Sequence, residues 1–233
     1  MTVETSPHRA IRQRDLVPPA ELAFYHALVV GVGAVGRQVA TQLAALGVPS
    51  MTLVDDDTVG VENLAVQGYY HSDIGLSKVE TTQAVCMQLN PDVEIKTVSE
   101  RFKRSSLNTL ECLNNPTAKK LVVFSCVDSM SARKIVWETT KSRLHLFVDG
   151  RMAGEVIRVL ASNGQGDTYY PATLFDDSQA FPAPCTGRST LYAASLAASL
   201  MLHRFSMQLR NFKPLPDTMV NLLANEIIEV ASK

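Results

Sequence analysis

The segment that most constrains the fold spans residues 29–59, VVGVGAVGRQVATQLAALGVPSMTLVDDDTV. An apolar run enters a turn that contains Gly31, Gly33 and Gly36, a helical pattern follows, and a second apolar run ends at Asp55. Glycines at this spacing let the backbone approach a phosphate closely, and the next helix offers it free N–H groups and a positive dipole end. Asp55 lies 19 residues after Gly36, where a carboxylate accepts hydrogen bonds from ribose hydroxyls. The segment therefore predicts a βαβ unit that binds a nucleotide.

The rest of the chain continues the alternation and predicts an α/β fold with a doubly wound, Rossmann-like and mostly parallel sheet. The expected strands cover 27–31, 51–55, 93–98, 121–127, 145–149 and 155–161. The expected helices cover 34–46, 77–89, about 105–113, 130–141 and 188–210. A chain of 233 residues suits one domain over 1–233, with an N-terminal arm over 1–20.

Residues 163–187 interrupt this pattern, because their glycines and prolines disfavour regular helix or strand. We expect a long crossover loop here, and loops of about 25 residues are often functional, although a tolerated surface insertion is the alternative. Residues 149–151, Asp-Gly-Arg, end a predicted strand just before it. They are interpreted either as a turn with a solvated arginine or as a site that recognises a carboxylate or phosphate.

The composition narrows the partners and the compartment. A net charge of −1 gives no electrostatic reason to expect nucleic acid or an anionic membrane as partner. The polar start lacks the apolar core of a signal peptide, and the most apolar run, 191–202, is shorter than the roughly 20 residues that span a bilayer. The four cysteines form no C-x-x-C pair, so no structural zinc is expected, and they fit a reducing cytoplasm.

The glycine turn and Asp55 alone fit a nicotinamide-dependent oxidoreductase equally well. Asn63 and Lys78, which follow the second strand, separate the two interpretations. A reaction that splits a triphosphate needs a cation there, because charge builds on the α-phosphate and on the departing pyrophosphate. Asp128 ends the predicted central strand LVVFSCVD, at the edge where doubly wound sheets bind ligands, and its carboxylate suits Mg²⁺.

Taken together, these residues resemble the ThiF/MoeB superfamily of adenylating enzymes, which includes the activating enzymes of ubiquitin-like proteins. The resemblance runs from about residue 9 to 210, and its motifs occur in the order that the family has. Besides the glycine turn they are RAIRQ (9–13), DDDTV (55–59), NLAVQ (63–67), DIGLSK (73–78) and Asp128 with Arg133.

The resemblance implies a role for each matched position. Asp55 binds the ribose, Asn63 and Lys78 bind the triphosphate of ATP, and Asp128 binds Mg²⁺. Asp57 and Gln67, within the matched motifs, are counted with the three glycines as nucleotide-binding residues. The resemblance also implies that Arg12 reaches the phosphates of a neighbouring protomer, so a homodimer, or a heterodimer with a related chain, is expected.

Two positions depart from the family pattern. Ala34 stands where a further glycine is usual, and it is tolerated if the backbone there has a negative φ. Val66 stands where the family has a phosphate-binding arginine, and loss of such a group typically costs about 10²–10³ in rate. Arg133, Arg151 and Arg188 are candidate replacements. The alternative is slow catalysis or a non-catalytic partner chain.

Cys185 precedes a helix rich in alanine and serine, in PAPCTGRSTLYAASLAASL. Some members of the family use a cysteine at this place to accept the acyl group as a thioester, and the N-terminus of a helix lowers the pKa of a thiol. The alternative is a loop cysteine that only packs.

The expected function is ATP-dependent adenylation of the C-terminal carboxylate of a small ubiquitin-like or sulfur-carrier protein that ends in glycine. Thioester formation on Cys185 and transfer to a downstream conjugating protein are further expectations. The alternatives are a non-catalytic nucleotide-binding or scaffold subunit and, third, an NAD-dependent oxidoreductase.

Overall fold

A computed structural model describes residues 10–114, 119–179 and 189–229. Eight strands form one sheet in the order β3-β2-β1-β4-β5-β6-β7-β8. The strands are β1 (Tyr25–Val30), β2 (Ser50–Val54), β3 (Glu94–Val98), β4 (Lys120–Ser125), β5 (Leu146–Ala153), β6 (Val156–Ser162), β7 (Asp217–Asn221) and β8 (Glu226–Glu229). The first five strands pair in parallel, and the last three continue the sheet with antiparallel pairing.

The helices occupy both faces of this sheet. They are α1 (Pro19–Leu22), α2 (Ala34–Leu46), α3 (Asn63–Gln67), α4 (Lys78–Leu89), α5 (Ser106–Thr109), α6 (Glu111–Asn114), α7 (Met130–Thr140), α8 (Tyr169–Ala172) and α9 (Leu191–Leu209). Apolar residues of α2, α4 and α9 form one core with the sheet. Residues of α6, α7 and α8 form a second core on the opposite face. The expected doubly wound α/β fold is confirmed.

The chain reverses its winding direction between β1 and β4, which are adjacent in the sheet. In doubly wound sheets, ligands bind outside the carboxyl ends of the strands at this point. β1 and β4 are apolar and almost wholly buried, as expected for central strands covered on both faces. The fold therefore fixes where a nucleotide site is to be sought.

The small residues of α9 explain its close packing on the sheet. Ala194 and Ala197 are fully buried, and a Cβ atom at Gly150 of β5 would lie 2.4 Å from the sulfur of Met201. A larger side chain at Gly150 would force the Met201 side chain to move. The alanine-rich run is therefore a packed helix, and no helix of the described residues combines the length and the apolarity that crossing a membrane requires.

Several predicted bounds were wrong. The expected helix over 105–113 is two short helices, α5 and α6. The predicted strand over 145–149 continues to Ala153, so residues 149–151 lie inside β5 and do not form a turn. The described part of the 163–187 loop contains α8 and a 3₁₀ turn at Asp177–Gln179. β7 and β8 were not predicted.

Candidate nucleotide-binding site

The glycine turn lies where β1 meets the loop that follows β4. Gly31 has φ +85°, and a Cβ atom there would lie 2.7 Å from the carbonyl oxygen of Cys126. A Cβ atom at Gly36 would lie 1.8 Å from the carbonyl oxygen of Gly31. Both glycines are required by close approach within the protein: Gly31 brings the turn against the β4 loop, and Gly36 seats α2 on β1.

The surroundings of Gly33 are different, because they leave space. Gly33 is the N-cap of α2, and the nearest atom to a Cβ placed on it is the Gln67 side-chain oxygen, at 3.9 Å. The free N–H groups of the first turn of α2 begin here. Ala34, the first helical residue, has no positive φ, so this departure from the family pattern fits the turn without strain.

Asp55 ties the glycine turn to the end of β2. Its carboxylate accepts hydrogen bonds from Val32 N–H at 2.6 Å and from Asp57 N–H at 2.9 Å. Burial raises the pKa of Asp55, and the hydrogen bond from Val32 opposes this effect. One backbone donor on each oxygen leaves lone pairs for a further donor, as ribose recognition requires.

A chain of contacts continues from Asp55 to Lys78. The Lys78 ammonium donates to Asp57 Oδ2 at 2.8 Å, and Lys78 N–H donates to the Asp57 carbonyl at 3.1 Å. The Lys78 side chain is 7% exposed, whereas that of Asp57 is 63% exposed. A buried ammonium whose ion-pair partner reaches into solvent can exchange that partner for an incoming anion. Lys78 is also the first residue of α4, beside the positive end of that helix dipole.

The short helix α3 supplies Asn63 and Gln67. Asn63 is buried, and its side-chain oxygen accepts a hydrogen bond from Gly60 N–H at 2.8 Å. The side-chain oxygen of Gln67 is buried and has no hydrogen-bond partner within the described part of the chain. A buried acceptor without a hydrogen-bond partner costs free energy. Here the unpaired Gln67 oxygen faces the space beside Gly33. The pairing of an unsatisfied amide with an unfilled turn fits a bound nucleotide.

Asp128 follows β4 and is exposed beside this turn. Asp55, Asp56 and Asp57 form an acidic group whose ligand atoms lie within 4.8 Å of one another. Asp128 is outside this group. The carboxylates at this edge are oxygen ligands of the kind that Mg²⁺ prefers, so the chemistry of the donors fits the expected metal.

The crossover loop is anchored next to Asp128. Asp177 accepts hydrogen bonds from Met130 N–H at 2.6 Å and from Ser131 N–H at 3.2 Å, at the N-terminus of α7. The Ser131 and Met130 donors lower the pKa of Asp177. The described part of the loop thus returns to the carboxyl edge of the sheet.

Arg133 and Arg151 share one buried carboxylate. Asp149 is fully buried and pairs with Arg133 Nη1 and, at 2.7 Å, with Arg151 Nε. Arg151 also donates to the carbonyl and hydroxyl of Thr173, both at 2.9 Å, and Tyr170 donates to Asp149 at 3.2 Å. The interpretation of Arg151 as a solvated turn residue was therefore wrong. Both arginines are engaged inside the protein, and neither is a free replacement for the arginine missing at Val66.

Arg37 is the cation that the sequence-based reasoning missed. It is 2% exposed, and it donates to the carbonyl of Gly68 at 3.2 Å and to Thr82 Oγ1 at 3.3 Å. Its guanidinium lies 4.0 Å from the centroid of the Tyr69 ring and 4.0 Å from an Asp73 carboxylate oxygen. The available signal was its spacing, because Arg37 shares the i, i+3, i+7 stripe of α2 with buried alanines at 40 and 44.

Tyr69 links Arg37 to the rest of the site. Its hydroxyl donates to the carbonyl of Val32 at 2.6 Å and lies 3.5 Å from the carbonyl of Lys78. Burial raises the pKa of Tyr69 to about 12, so the hydroxyl keeps its proton at neutral pH. One phenol therefore connects the glycine turn with the start of α4.

Arg12, by contrast, is not brought to this edge. Arg12 is exposed, and the neighbouring Gln13 donates to the carbonyl of Leu46, at the far end of α2. The 13 residues of α2 place that end about 20 Å from the glycine turn. Cys185 and Arg188 lie outside the described residues.

A doubly wound sheet with a glycine turn and a chain of paired polar residues at the switch point has the architecture of a nucleotide-binding α/β domain. Comparison with known proteins identifies the family. The sequence profile of the ThiF family matches residues 12–233, so the chain belongs to the ThiF family.

Curated relatives match parts of the chain. The sulfur carrier protein ThiS adenylyltransferase of Escherichia coli is 34% identical over 108 residues, which are 46% of this chain and 41% of that protein. Ubiquitin-like modifier-activating enzyme 5 of Drosophila melanogaster is 30% identical over 178 residues, 71% of this chain and 44% of that protein. The chain thus spans less than half the length of these relatives.

Solved structures share the fold. E. coli MccB has a TM-score of 0.76 at 17% identity, covering 96% of this chain and 69% of that one. The E. coli tRNA N6-threonylcarbamoyladenosine dehydratase TcdA, in complex with AMP, has a TM-score of 0.66 at 17% identity, covering 87% of this chain and 94% of that one.

Proposed function

We propose that this chain binds ATP with Mg²⁺ at the carboxyl edge of the sheet and adenylates the C-terminal carboxylate of a small ubiquitin-like or sulfur-carrier protein ending in glycine. The observation that carries the proposal is the hydrogen-bonded chain from the glycine turn through Asp55 and Asp57 to the buried ammonium of Lys78. The named activities of the adenylyltransferase and activating-enzyme relatives support it.

The chemistry follows from these groups. A carboxylate oxygen of the carrier attacks the α-phosphorus of ATP, the bond to the bridging oxygen breaks, and pyrophosphate leaves with that electron pair. Lys78 and the free N–H groups at the start of α2 stabilise the charge that develops. The attacking carboxylate is already ionised, so positioning and charge stabilisation supply the catalysis without a general base.

The metal has a limited and definite role in this proposal. Asp128 is the residue that would hold Mg²⁺, which would neutralise phosphate charge when bound, and Asp55 remains free to bind the ribose. Asn63 and Gln67 of α3 complete the nucleotide site in the proposal. Gln67 turns its side-chain amide, whose oxygen is unpaired, towards the ligand. A flip that exchanges the oxygen and the nitrogen allows this amide either to accept or to donate a hydrogen bond there.

Two finer steps belong to the same proposal. Arg12 acts across a homodimer interface, since it lies at the far end of α2 within its own chain. Cys185 then accepts the acyl group: its thiolate attacks the acyl carbon, AMP leaves, and a thioester forms that a conjugating protein can receive. These reactions are expected in the cytoplasm.

A second candidate function is a nucleotide-binding subunit without catalytic activity, and Val66 favours it. Val66 is half-buried on α3 and brings no charge to the site, while Arg133 and Arg151 are paired with Asp149. The two functions differ in one measurable property. A catalytic chain exchanges pyrophosphate into ATP when a carrier is present, and a scaffold does not.

The substitution Lys78→Ala tests the proposal. It should lower carrier-dependent pyrophosphate exchange by about 10²-fold or more, because it removes a group aimed at developing charge. Lys141→Ala is the matched control, since Lys141 is an exposed lysine at the end of α7. Calorimetry with ATP·Mg²⁺ and with NAD supplies the second readout. Binding of NAD without binding of ATP, or full exchange activity in Lys78→Ala, would contradict the proposal.

A further inference from the structure

A cavity of about 470 Å³ opens at the opposite edge of the sheet, by the amino ends of β1, β2, β3 and β4. Its wall includes His26, Thr52, Leu110, Cys112, Lys119 and Leu121. In the described part of the chain between β3 and β4, two four-residue helices stand in place of one long helix, and the cavity lies between them and the sheet. Along β2, the polar end of the cavity at Ser50 lies about 15 Å from Asp55, whereas Val98 at its other end accepts a hydrogen bond from Asp55 N–H at 3.2 Å.

A continuous hydrogen-bond network lines this cavity. The Lys119 ammonium donates to Ser50 Oγ at 2.9 Å, and Ser50 Oγ lies 2.9 Å from His26 Nδ1. His26 Nε2 lies 2.9 Å from Thr52 Oγ1, which also meets the side chain of Cys112. Ser50 and Thr52 are each 3% exposed. Five polar side chains are thus held in fixed positions on the face of a sheet that is otherwise an apolar core.

The charged residues that line the cavity are Lys96, Lys119, Glu94 and Glu111. Lys96 pairs with Glu111, whereas the ion pairs of the described residues do not include Lys119. Burial, followed by the charges of Lys119 and Lys96, lowers the pKa of His26 to about 4. The charges of the cavity wall balance when Glu94 is included, so the positive potential is local to His26 and Lys119.

We propose that this cavity binds a small organic molecule with one anionic group, a carboxylate or a phosphate, and an apolar body. Lys119 and the one hydroxyl that accepts from His26 and keeps its own O–H free receive the anion, and Leu110 and Leu121 contact the apolar part. The volume lies within the range of about 300–1,000 Å³ that is usual for small-molecule sites. The anion-binding end of the cavity, at Lys119 and His26, contains none of the residues assigned to adenylation.

Binding of defined probes to the full chain tests this proposal. Benzoate and phenyl phosphate represent the two anionic groups, and neutral benzamide matches benzoate in shape. Nuclear magnetic resonance should show that at least one anion shifts the ring signals of His26 and raises its pKa, since the anion offsets the field of Lys119. Benzamide should bind at least about tenfold more weakly, as expected for loss of one charge-assisted hydrogen bond. The tighter anion identifies the preferred group, and ATP·Mg²⁺ should displace neither.

Lys119→Gln should weaken binding of that anion at least about tenfold, whereas Lys120→Gln should leave it unchanged. Lys120 is the matched control, because it is adjacent in sequence but lies over the Tyr25 ring, with the ammonium 5.5 Å from the ring centroid. Bound anion should also slow alkylation of Cys112, which provides a readout in the unaltered protein. Equal binding of benzamide, equal loss in the two variants, or an anion that leaves His26 and Cys112 unaffected would overturn the proposal.

Discussion

At the residue scale, Lys78 and Asp55 show what a motif predicts and what it omits. The sequence placed both at the nucleotide edge, and the structure links them through Asp57. The sequence motif did not indicate that Asp55 also binds the glycine turn, by accepting a hydrogen bond from Val32 N–H. A backbone contact of this kind depends on the exact approach of two loops, which residue spacing does not specify.

Arginines were the residues that sequence patterns described least well. Arg151 was interpreted either as a solvated turn residue or as part of a site for a carboxylate or phosphate, but it is buried and shares Asp149 with Arg133. Arg37 was not among the predicted site residues, yet its side chain connects α2 with the end of α3 and with α4. Burial of a guanidinium depends on acceptors from distant parts of the chain, and these come together only in the folded protein.

Arg37 leads to a prediction about nucleotide affinity. It holds the carbonyl of Gly68, the residue that ends α3 directly after Gln67. Arg37→Met should therefore displace α3 and weaken ATP·Mg²⁺ binding by about tenfold, in addition to lowering stability through an unsatisfied buried carbonyl. Calorimetry at a temperature where the variant remains folded measures the affinity. Arg37→Lys should recover part of it, and an unchanged affinity with reduced stability alone would show a purely structural role.

At the element scale, the central strands were predictable because their apolar runs are long. β1 and β4 are buried on both faces, and the continuous apolar residues in their sequences indicate this burial. β7 and β8 lie at the edge of the sheet, and β8 is exposed over its whole length. A short strand without a buried face has no alternating pattern to detect, and its pairing with β7 comes from the hairpin turn at Asn225, where φ is +56°.

The free energy of unfolding is predicted to depend on pH through His26 of β1, which bonds to Ser50 and Thr52 of β2. Burial is the chief cause that lowers the pKa of His26 from the ordinary value of 6.5 to about 4. Between these two pH values the unfolded chain binds a proton at His26 and the folded protein does not. Stability from this residue is therefore lost as the pH falls below 6.5, by about 2 kcal/mol between pH 7 and pH 5.

Urea unfolding of the wild type and of His26→Gln at both pH values measures this effect. Glutamine keeps a donor and an acceptor for Ser50 and Thr52 but does not titrate. The free energy of unfolding should fall less for the variant than for the wild type. The same fall in both proteins would show that other groups cause the pH dependence.

At the scale of the whole molecule, the proposed role of Arg12 across a homodimer interface would make the site larger than one chain. Neither Arg12→Ala nor Lys78→Ala should be active alone, because each alters every site of its own homodimer. A mixed dimer contains one doubly altered site and one unaltered site. An equal mixture should recover about a quarter of the wild-type pyrophosphate exchange, since half of the randomly formed dimers are mixed. No recovery, with subunit exchange demonstrated by mass spectrometry, would place all catalytic groups in one chain.

The most direct test of the central claim follows one oxygen atom. A carrier protein labelled with ¹⁸O in its C-terminal carboxylate is incubated with ATP·Mg²⁺ and the chain, and hydroxylamine is added to cleave the activated acyl group. If the carboxylate attacks the α-phosphorus, the AMP carries one ¹⁸O atom and its mass rises by 2 Da, and Lys78→Ala forms this product far more slowly. Unlabelled AMP, or release of ADP and phosphate in its place, would contradict adenylation of the carrier by this chain.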